Sequence, residues 1–373
     1  MKIYHITINP IDYERRIHNQ AASAAVAGHS VHMIALGMPG EKSAEQRAHF
    51  FLQRLTTPFY KGGALKFLHF NLKLLIVFLK HKPDIIHCHD LWVLPAAVSI
   101  ILFRKCKLVY DAHEYYAGLE IFTHRHIRKR IWLFLEHLAI KKVDVLITVS
   151  EPLAGLYRDK YPDLKRVELI RNLPMQESAD REAGVPLPGN NDNKVVLFQG
   201  HFRPGRGLEN LVRAFAAVSG ARLVLIGGGE LEEKLKSIVK AEQMEDRVTF
   251  MGYLPTSQLI PTTAMADLGI ALFEPTSINY AYALPNKFFE YVMAGIPVLA
   301  SNIETFQDYI DKYNFGLTVN PANIHEITLA IQTMIADEAR LQEWRRNAQI
   351  AASELNWESE AKKMNRIYEE IFS

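Results

Sequence analysis

At 373 residues the chain is long enough for two α/β domains and too long for one comfortable core. Its 49% hydrophobic and 23% charged residues are ordinary for a globular protein, and its two cysteines, Cys88 and Cys106, exclude a disulfide framework or a cysteine-rich zinc site. The net charge of +2 is unevenly spread: residues 1–170 carry 24 Lys and Arg against 15 Asp and Glu, and the remainder 19 against 26. A basic half joined to an acidic half implies that the two bind different things. The basic half suits an anionic membrane surface or a phosphate-bearing acceptor, and no nucleic-acid partner is expected.

The first residues enter a strand at once without the plan of a signal peptide. The longest apolar run, 91–103, is too short to span a bilayer and contains Pro95. A cytoplasmic protein is expected, with peripheral contact on the inner face of the membrane as an option. Strand-like runs are predicted at 2–8, 30–36, 84–88, 107–110, 144–149 and 167–170. Helices are predicted near 14–27, 62–80, 92–104, 125–142 and 151–160. Regular βα alternation argues for a parallel sheet covered on both faces, with ligands beyond the carboxyl ends of its strands. Polar residues gather at those ends: Asn9 and Asp12, then His87, His89 and Asp90, then Asp111, His113 and Glu114.

Residues 174–193 are polar, proline-bearing and without a sustained period, as a linker would be. A second alternating run follows, with strands at 195–199, 222–226, 248–251, 268–273, 297–300 and 315–319. The expected domains are therefore 1–173 and 194–355, followed by a final helix over 356–373.

The stretch 283–301 reads as loop, short helix, stop and buried strand. Pro285 and Asn286 suit a helix start, Phe289, Val292 and Met293 share one helical face, and Gly295 and Pro297 end the helix. A helix N-terminus beside such a loop favours a phosphate, with Glu290 one turn inside to meet a ribose hydroxyl. In 200–208, Gly200, His201, Arg203 and Arg206 combine a sharp turn with cations suited to a diphosphate. The cluster 227–229 is a second glycine turn after a strand. Tyr253 suits either stacking on a base or packing as a buried aromatic. His87 and His89 have metal-like spacing but lack a second ligand cluster, and read as structural or acceptor-facing. Basic residues on the helices 61–82 and 124–142 suit either a membrane surface or a solvated face.

The run 285–301, Pro-Asn-Lys-Phe-Phe-Glu-Tyr-Val-Met-Ala-Gly-Ile-Pro-Val-Leu-Ala-Ser, resembles the nucleotide-sugar signature of family 4 glycosyltransferases. Those enzymes have the GT-B fold, two Rossmann-like α/β domains whose parallel sheets face across a cleft. The resemblance spans almost the whole chain and is most specific over 195–301. It implies a retaining glycosyltransferase without a metal or cofactor, using a nucleoside diphosphate sugar, a UDP-sugar or a GDP-sugar first. The acceptor would be a glycan or lipid-linked saccharide of a bacterial surface polysaccharide. Donor binding would involve Gly200, His201, Arg203, Arg206, Gly229, Tyr253, Leu284, Pro285, Asn286, Lys287 and Glu290. Catalysis would involve His113, Arg206 and Lys287; the acceptor would meet Asn9, Asp12, Arg15 and Glu114. The last helix would cross back onto the N-terminal domain.

Three departures from the family pattern stand out. His201 replaces the usual Arg, Tyr282 occupies the position of a first glutamate, and 9–16 lacks the usual Gly-Gly. One rival reading keeps the fold but changes the chemistry, a GT-B nucleotide-sugar epimerase; a second belongs to another class, a non-catalytic sugar- or nucleotide-binding protein. A nicotinamide-dependent oxidoreductase fits poorly, because neither half has a G-x-G-x-x-G followed by a distant acidic residue.

Overall fold

Branched and aromatic strand runs alternating with helices build two parallel sheets, each in its own unit. One unit comprises Met1–Arg171 and Glu360–Ser373, the other Asn172–Ser359. The computed structural model describes residues 1–119, 122, 125–176, 183–188 and 193–373, and of Tyr13 the backbone alone.

The first unit runs β1 (Lys2–Ile6), α1 (Arg15–Val26), β2 (Ser30–Gly37), β3 (Ala44–Gln46), β4 (Phe51–Thr56), α2 (Ala64–Phe78) and β5 (Ile85–His89). It continues through α3 (Leu94–Phe103), β6 (Lys107–Asp111), α4 (His126–Ile140), β7 (Val145–Thr148), α5 (Glu151–Lys160) and β8 (Val167–Leu169). The sheet order is β3-β4-β2-β1-β5-β6-β7-β8, parallel throughout except for the β3–β4 pair. The order reverses at β1, so the carboxyl ends of β1 and β5 form a topological switch point.

Sequence reading had no strand within 44–56. The run Phe-Leu-Gln-Arg-Leu-Thr lacks a clear apolar signal, because Arg54 is buried by virtue of its partners rather than its polarity. Its guanidinium meets Glu41, Glu45 and Asp12.

The second unit runs β9 (Lys194–His201), α6 (Leu208–Phe215), β10 (Ala221–Gly228), α7 (Glu232–Ala241), β11 (Val248–Gly252), α8 (Thr256–Thr263) and β12 (Leu268–Ala271). After it come α9 (Ile278–Ala281), α10 (Asn286–Met293), β13 (Val298–Ser301), α11 (Glu304–Tyr313), β14 (Gly316–Val319), α12 (Ile324–Ala336), α13 (Glu338–Glu354) and α14 (Trp357–Phe372). Its order β11-β10-β9-β12-β13-β14 is the doubly wound arrangement, with the switch point between β9 and β12. Separate apolar clusters cover the two faces. One is centred on Phe198, Phe215 and Trp344, the other on Phe288, Phe306 and Tyr291.

The polar stretch 174–193 falls within the second unit, and its residues 177–182 and 189–192 lie outside the described ones. The part between them is packed rather than free. The Val185 N–H donates to Thr262 Oγ1 at 2.9 Å, and Leu187 packs against the core. Four residues within 120–124 are also outside the described ones, so helix α4 is described from His126. Helix α14 starts where the Asn356 side chain accepts from the Ser359 N–H, and from Glu360 onward it belongs to the first unit. Glu360 is fully buried and accepts from the Arg171 N–H at 2.9 Å, from its guanidinium at 2.5 Å and from Lys363 at 2.8 Å.

His87, His89 and Asp111 are not at an acceptor edge. Alternate strand residues share a face, and the register sets His5 beside His87 and His89 beside Asp111. That face is covered by α1 and α14, leaving all four residues at most 1% exposed. Asp111 accepts from Arg16 at 2.5 Å and Gln20 at 2.9 Å. His87 Nδ1 meets the Tyr368 hydroxyl at 2.5 Å, and His5 Nδ1 meets His89 Nε2 at 2.9 Å. The three histidines offer nitrogens within 4.8 Å of one another, but the Arg16 guanidinium nearby opposes a cation there.

Two outcomes are expected. Glu360→Ala removes a buried carboxylate that accepts from the Arg171 N–H and guanidinium and from Lys363, and should cost about 1–3 kcal/mol, read as a lowered denaturation midpoint of the first unit; an unchanged midpoint would refute this role. Burial lowers the pKa values of His5 and His87, and takes His89 to about 3. The unfolded chain therefore binds protons first, so stability is full above about pH 6.5 and falls as pH drops toward 3. The loss reaches about 1.4 kcal/mol per pH unit for each such histidine. Urea midpoints that do not fall between pH 7 and pH 5 would contradict it.

Candidate functional site

Strands β9 and β12 are neighbours, yet their register pairs only Leu268 with Val196 and Gly269 with Leu197. Strand β9 runs on to His201 while β12 stops at Ala271, short of the predicted 273. Their carboxyl ends therefore part, and loop segments from 200–207, 227–229, 252–253 and 283–290 gather there.

Two glycines let these loops approach. At Gly229, with φ +152°, a Cβ would lie 2.5 Å from the Phe202 carbonyl oxygen. At Gly227, with φ +128°, it would lie 2.0 Å from the Gly200 carbonyl oxygen. No other residue fits at either position. A Cβ at Gly200 would sit 3.4 Å from Lys287 Cε, so this glycine lies directly against the lysine stem.

Helix α10 carries the charged groups. Pro285 stands at its N-cap and Asn286 is its first residue, with Asn286 Oδ1 accepting from Asn172 at 2.7 Å. Sequence reading gave it one apolar face, whereas every residue from Lys287 to Met293 is buried. The Lys287 Nζ is buried without a hydrogen-bond acceptor among the described residues, 3.5 Å from the centre of the Phe198 ring. Burial first, and the Arg206 guanidinium second, hold its pKa well below the ordinary lysine range, while Glu290 opposes them. Glu290, one turn on, accepts from Gln199 Nε2 at 2.6 Å. Gln199 is fixed in turn: Thr263 donates to its carbonyl at 2.7 Å, and its own N–H donates to the Tyr291 hydroxyl at 3.0 Å. Sequence reasoning missed Gln199, whose signal was a polar residue closing the apolar run 195–198.

Arg206 lies with its guanidinium 4.3 Å from the Phe273 ring centre and its Nε buried without an acceptor. Burial lowers its pKa, Arg203 adds to this more weakly, and a hydrogen bond with the Tyr280 side chain opposes both. Arg203 and His201 are exposed. The Tyr253 hydroxyl donates to the Gly228 carbonyl at 2.9 Å and meets His201 Nδ1 at 3.1 Å. At 63% exposed, the Tyr253 ring is not the buried packing aromatic that its loop position also allowed. Leu284 packs against the core beside Ala283, whose carbonyl accepts from Thr305. Tyr282 closes the short helix α9, and the Glu274 N–H donates to Gly205, setting Glu274 beside the 200–207 loop.

At the switch point of the first unit, a second polar group forms. Asn9 Nδ2 donates to Glu14 at 2.9 Å and to Asp90 at 3.2 Å; His113 Nδ1 lies 3.3 Å from Asp90, and Tyr116 donates to Asp90 at 2.7 Å. Asp90 holds a left-handed φ of +71°, a strained state for a non-glycine residue. Burial and the neighbouring Asp90 raise the Glu14 pKa. Sequence reading had Asn9 and His113 as site residues; Glu14, Asp90 and Tyr116 join them through tertiary contacts. Asp12 does not join this group: its carboxylate is engaged by Arg47 at 2.5 Å and by Arg54 at 3.4 Å. Arg15 opens α1, and Glu114 is exposed, with its carbonyl accepting from Tyr157.

Residues 182–351 match the family model "Glycosyl transferases group 1", and residues 13–172 match "Glycosyl transferase 4-like domain". An uncharacterized glycosyltransferase of Methanocaldococcus jannaschii is 25% identical over 362 residues, covering 91% of this chain and 90% of its own. Among solved structures, sucrose-phosphate synthase from Thermosynechococcus elongatus superposes with a TM-score of 0.78 at 20% identity, covering 100% of this chain and 99% of its own. Anabaena HepE in complex with UDP-glucose superposes with a TM-score of 0.73 at 18% identity, with 100% and 99% covered.

A buried ammonium without an acceptor destabilises its surroundings. Lys287→Met should raise the stability of the second unit by about 1–3 kcal/mol, and a lowered melting temperature would show that the ammonium is compensated.

Proposed function

Because the chain belongs to the family 4 glycosyltransferases of the GT-B fold, we propose that it transfers a sugar from a nucleoside diphosphate sugar to a glycan or lipid-linked acceptor of a bacterial surface polysaccharide, retaining the anomeric configuration. The observation that carries this reading is the convergence of Lys287, Arg206 and Glu290 at the switch point of the second unit. A buried ammonium at Lys287 is costly in the free protein, and a diphosphate supplies the charge that it and the part-buried Arg206 lack. The Gln199 amide aims the Glu290 carboxylate, which suits it to accept from ribose hydroxyls. Exposed Tyr253 offers a face on which a base stacks, and His201 and Arg203 add charge at the rim. Leu284 and Asn286 frame the entry to α10. HepE, of similar fold, is known in complex with UDP-glucose, which makes a UDP-sugar the first donor to test.

Retention follows from attack on the face that the leaving group departs. The bond from the anomeric carbon to the diphosphate oxygen breaks, the acceptor hydroxyl oxygen bonds to that carbon, and its proton passes to the departing diphosphate. The protein's part is electrostatic: Lys287 and Arg206 stabilise charge growing on the diphosphate. On the first unit, Asn9, Glu14, Asp90 and His113 form a hydrogen-bonding group suited to acceptor hydroxyls. No metal or cofactor enters this scheme. Among the described residues no helix is long and apolar enough to cross a membrane, so access to a lipid-linked acceptor would be from the membrane surface.

A thermal-shift screen of UDP, GDP, dTDP, ADP and CMP tests the donor site. One diphosphate should stabilise the protein by about 2.7 kcal/mol at a hundredfold excess over its dissociation constant. The shift should vanish in Glu290→Ala and in Lys287→Met. Absence of any shift in the unsubstituted protein would sink the donor assignment.

A further inference from the structure

Helices α2 and α4 violate the usual rule that a sheet-covering helix turns a polar face outward. On α2, Phe70, Leu74 and Phe78 enter the core, yet Leu65, Leu68, Leu72 and Ile76 form a second apolar stripe that is at least half exposed. On α4, Ile127, Ile131, Phe134 and Leu138 repeat the pattern, from 52% to 77% exposed. Phe103, at the end of α3, is 85% exposed. These residues are too many to be scattered surface apolars. The same segments carry Lys61, Lys66, Lys73, Lys80, Arg125, Arg128, Lys129 and Arg130, with no acidic residue in 61–80 or 125–135.

Between α2 and α4 opens a cavity of about 440 Å³, within the ~300–1,000 Å³ range of ligand pockets. Its walls are apolar: Phe67, Trp92, Phe122, Ile131, Trp132 and Leu135. Trp92 packs edge-on against Trp132, with ring centroids 4.9 Å apart. Lys66, Arg125 and Arg128 line the same cavity, and among the described residues no carboxylate pairs with them. Burial lowers the Lys66 pKa, as for a cation held against apolar surface without an anion. Trp92 also packs against Tyr116, whose hydroxyl donates to Asp90. The cavity therefore backs onto the polar group at the switch point of this unit.

We infer that this cavity binds one hydrocarbon chain of an anionic membrane phospholipid, its phosphate held by Lys66, Arg125 and Arg128, while the exposed stripes of α2 and α4 rest in the bilayer interface. Charge complementarity selects an anionic lipid over a protein partner, since the apolar stripes are interleaved with cations and lack acids. An aromatic cavity that opens between the two exposed stripes goes beyond what surface adsorption requires, and its volume suits a single chain. The inference concerns binding by the first unit and stands apart from the donor assignment, which the diphosphate screen tests separately.

Four tryptophans make a direct test. Trp92 and Trp132 line the cavity, whereas Trp344 and Trp357 are buried in the second unit. The full chain is mixed at low salt with vesicles of phosphatidylcholine alone or with phosphatidylglycerol, the latter carrying bromine on its acyl chains. Expected are flotation with the anionic vesicles only, and bromine quenching that disappears in a Trp92→Phe/Trp132→Phe double variant. The Lys66→Glu/Arg125→Glu/Arg128→Glu variant should lose affinity on the order of a hundredfold. Leu135→Phe, which enlarges a wall side chain into the cavity without adding a tryptophan, should keep flotation through the exposed stripes but weaken the bromine quenching. Flotation without tryptophan quenching would overturn the chain site, as would equal binding to neutral vesicles or no flotation at all. Binding only when a polyisoprenyl phosphate is added would assign the cavity to a different lipid and overturn the phospholipid assignment.

Discussion

The packing that locks helix α10 fixes a buried ammonium at the switch point of the second unit. Lys287 lies against the Phe198 ring with no acceptor among the described residues, on a helix of which every residue after the first is buried. A lysine in that position is tolerated only if its surroundings are fixed by stronger terms, and here they are. Phe288 stacks on Phe306 at 4.6 Å, Tyr291 hydrogen-bonds across to β9 and β12, and Gly269 leaves room for the Tyr291 ring, 2.5 Å from where its Cβ would be. Since α10 cannot rotate, Lys287 and Glu290, three residues apart on one side, are presented together to the end of β9.

The two units solve the same geometric problem with different chemistry. Each has a parallel sheet whose strand order reverses once, and each gathers polar groups at that reversal. In the second unit the gathered groups are cations and glycines, suited to a diphosphate. In the first they are amide, carboxyl and imidazole groups within hydrogen-bonding reach, suited to hydroxyls. The charge asymmetry of the sequence follows this division only in part. Only five of the first half's 24 Lys and Arg stand on α2 and α4 themselves, Lys66, Lys73, Arg128, Lys129 and Arg130.

Buried polarity was the hardest feature to read in the chain. His87, His89 and Asp111 look like edge residues in a one-dimensional reading because they stand near strand ends. Strand register and the covering helices put them inside, with Arg16 and Tyr368 as partners. Arg54 concealed a strand for the same reason, and Asp12 was drawn to Arg47 and Arg54 rather than to Asn9. In each case the deciding partner is distant in sequence, so no local pattern reveals it.

Periodicity and punctuation alone determined two α/β units, the approximate limits of most strands, and the glycine turns and helix start around 200–207, 227–229 and 283–290. These depend on residues near one another in sequence, where backbone sterics and side-chain spacing act directly. The family resemblance rested on the same local run, 285–301. Tertiary structure alone decided that Gln199 aims Glu290, that Lys287 is left without an acceptor, and that Asp90 joins Asn9 and His113. It also decided that apolar stripes on α2 and α4 stay exposed around a cavity. Each of these depends on which strands become neighbours and how the covering helices are rotated, and burial and pairing energies set that across the whole unit rather than within any one segment.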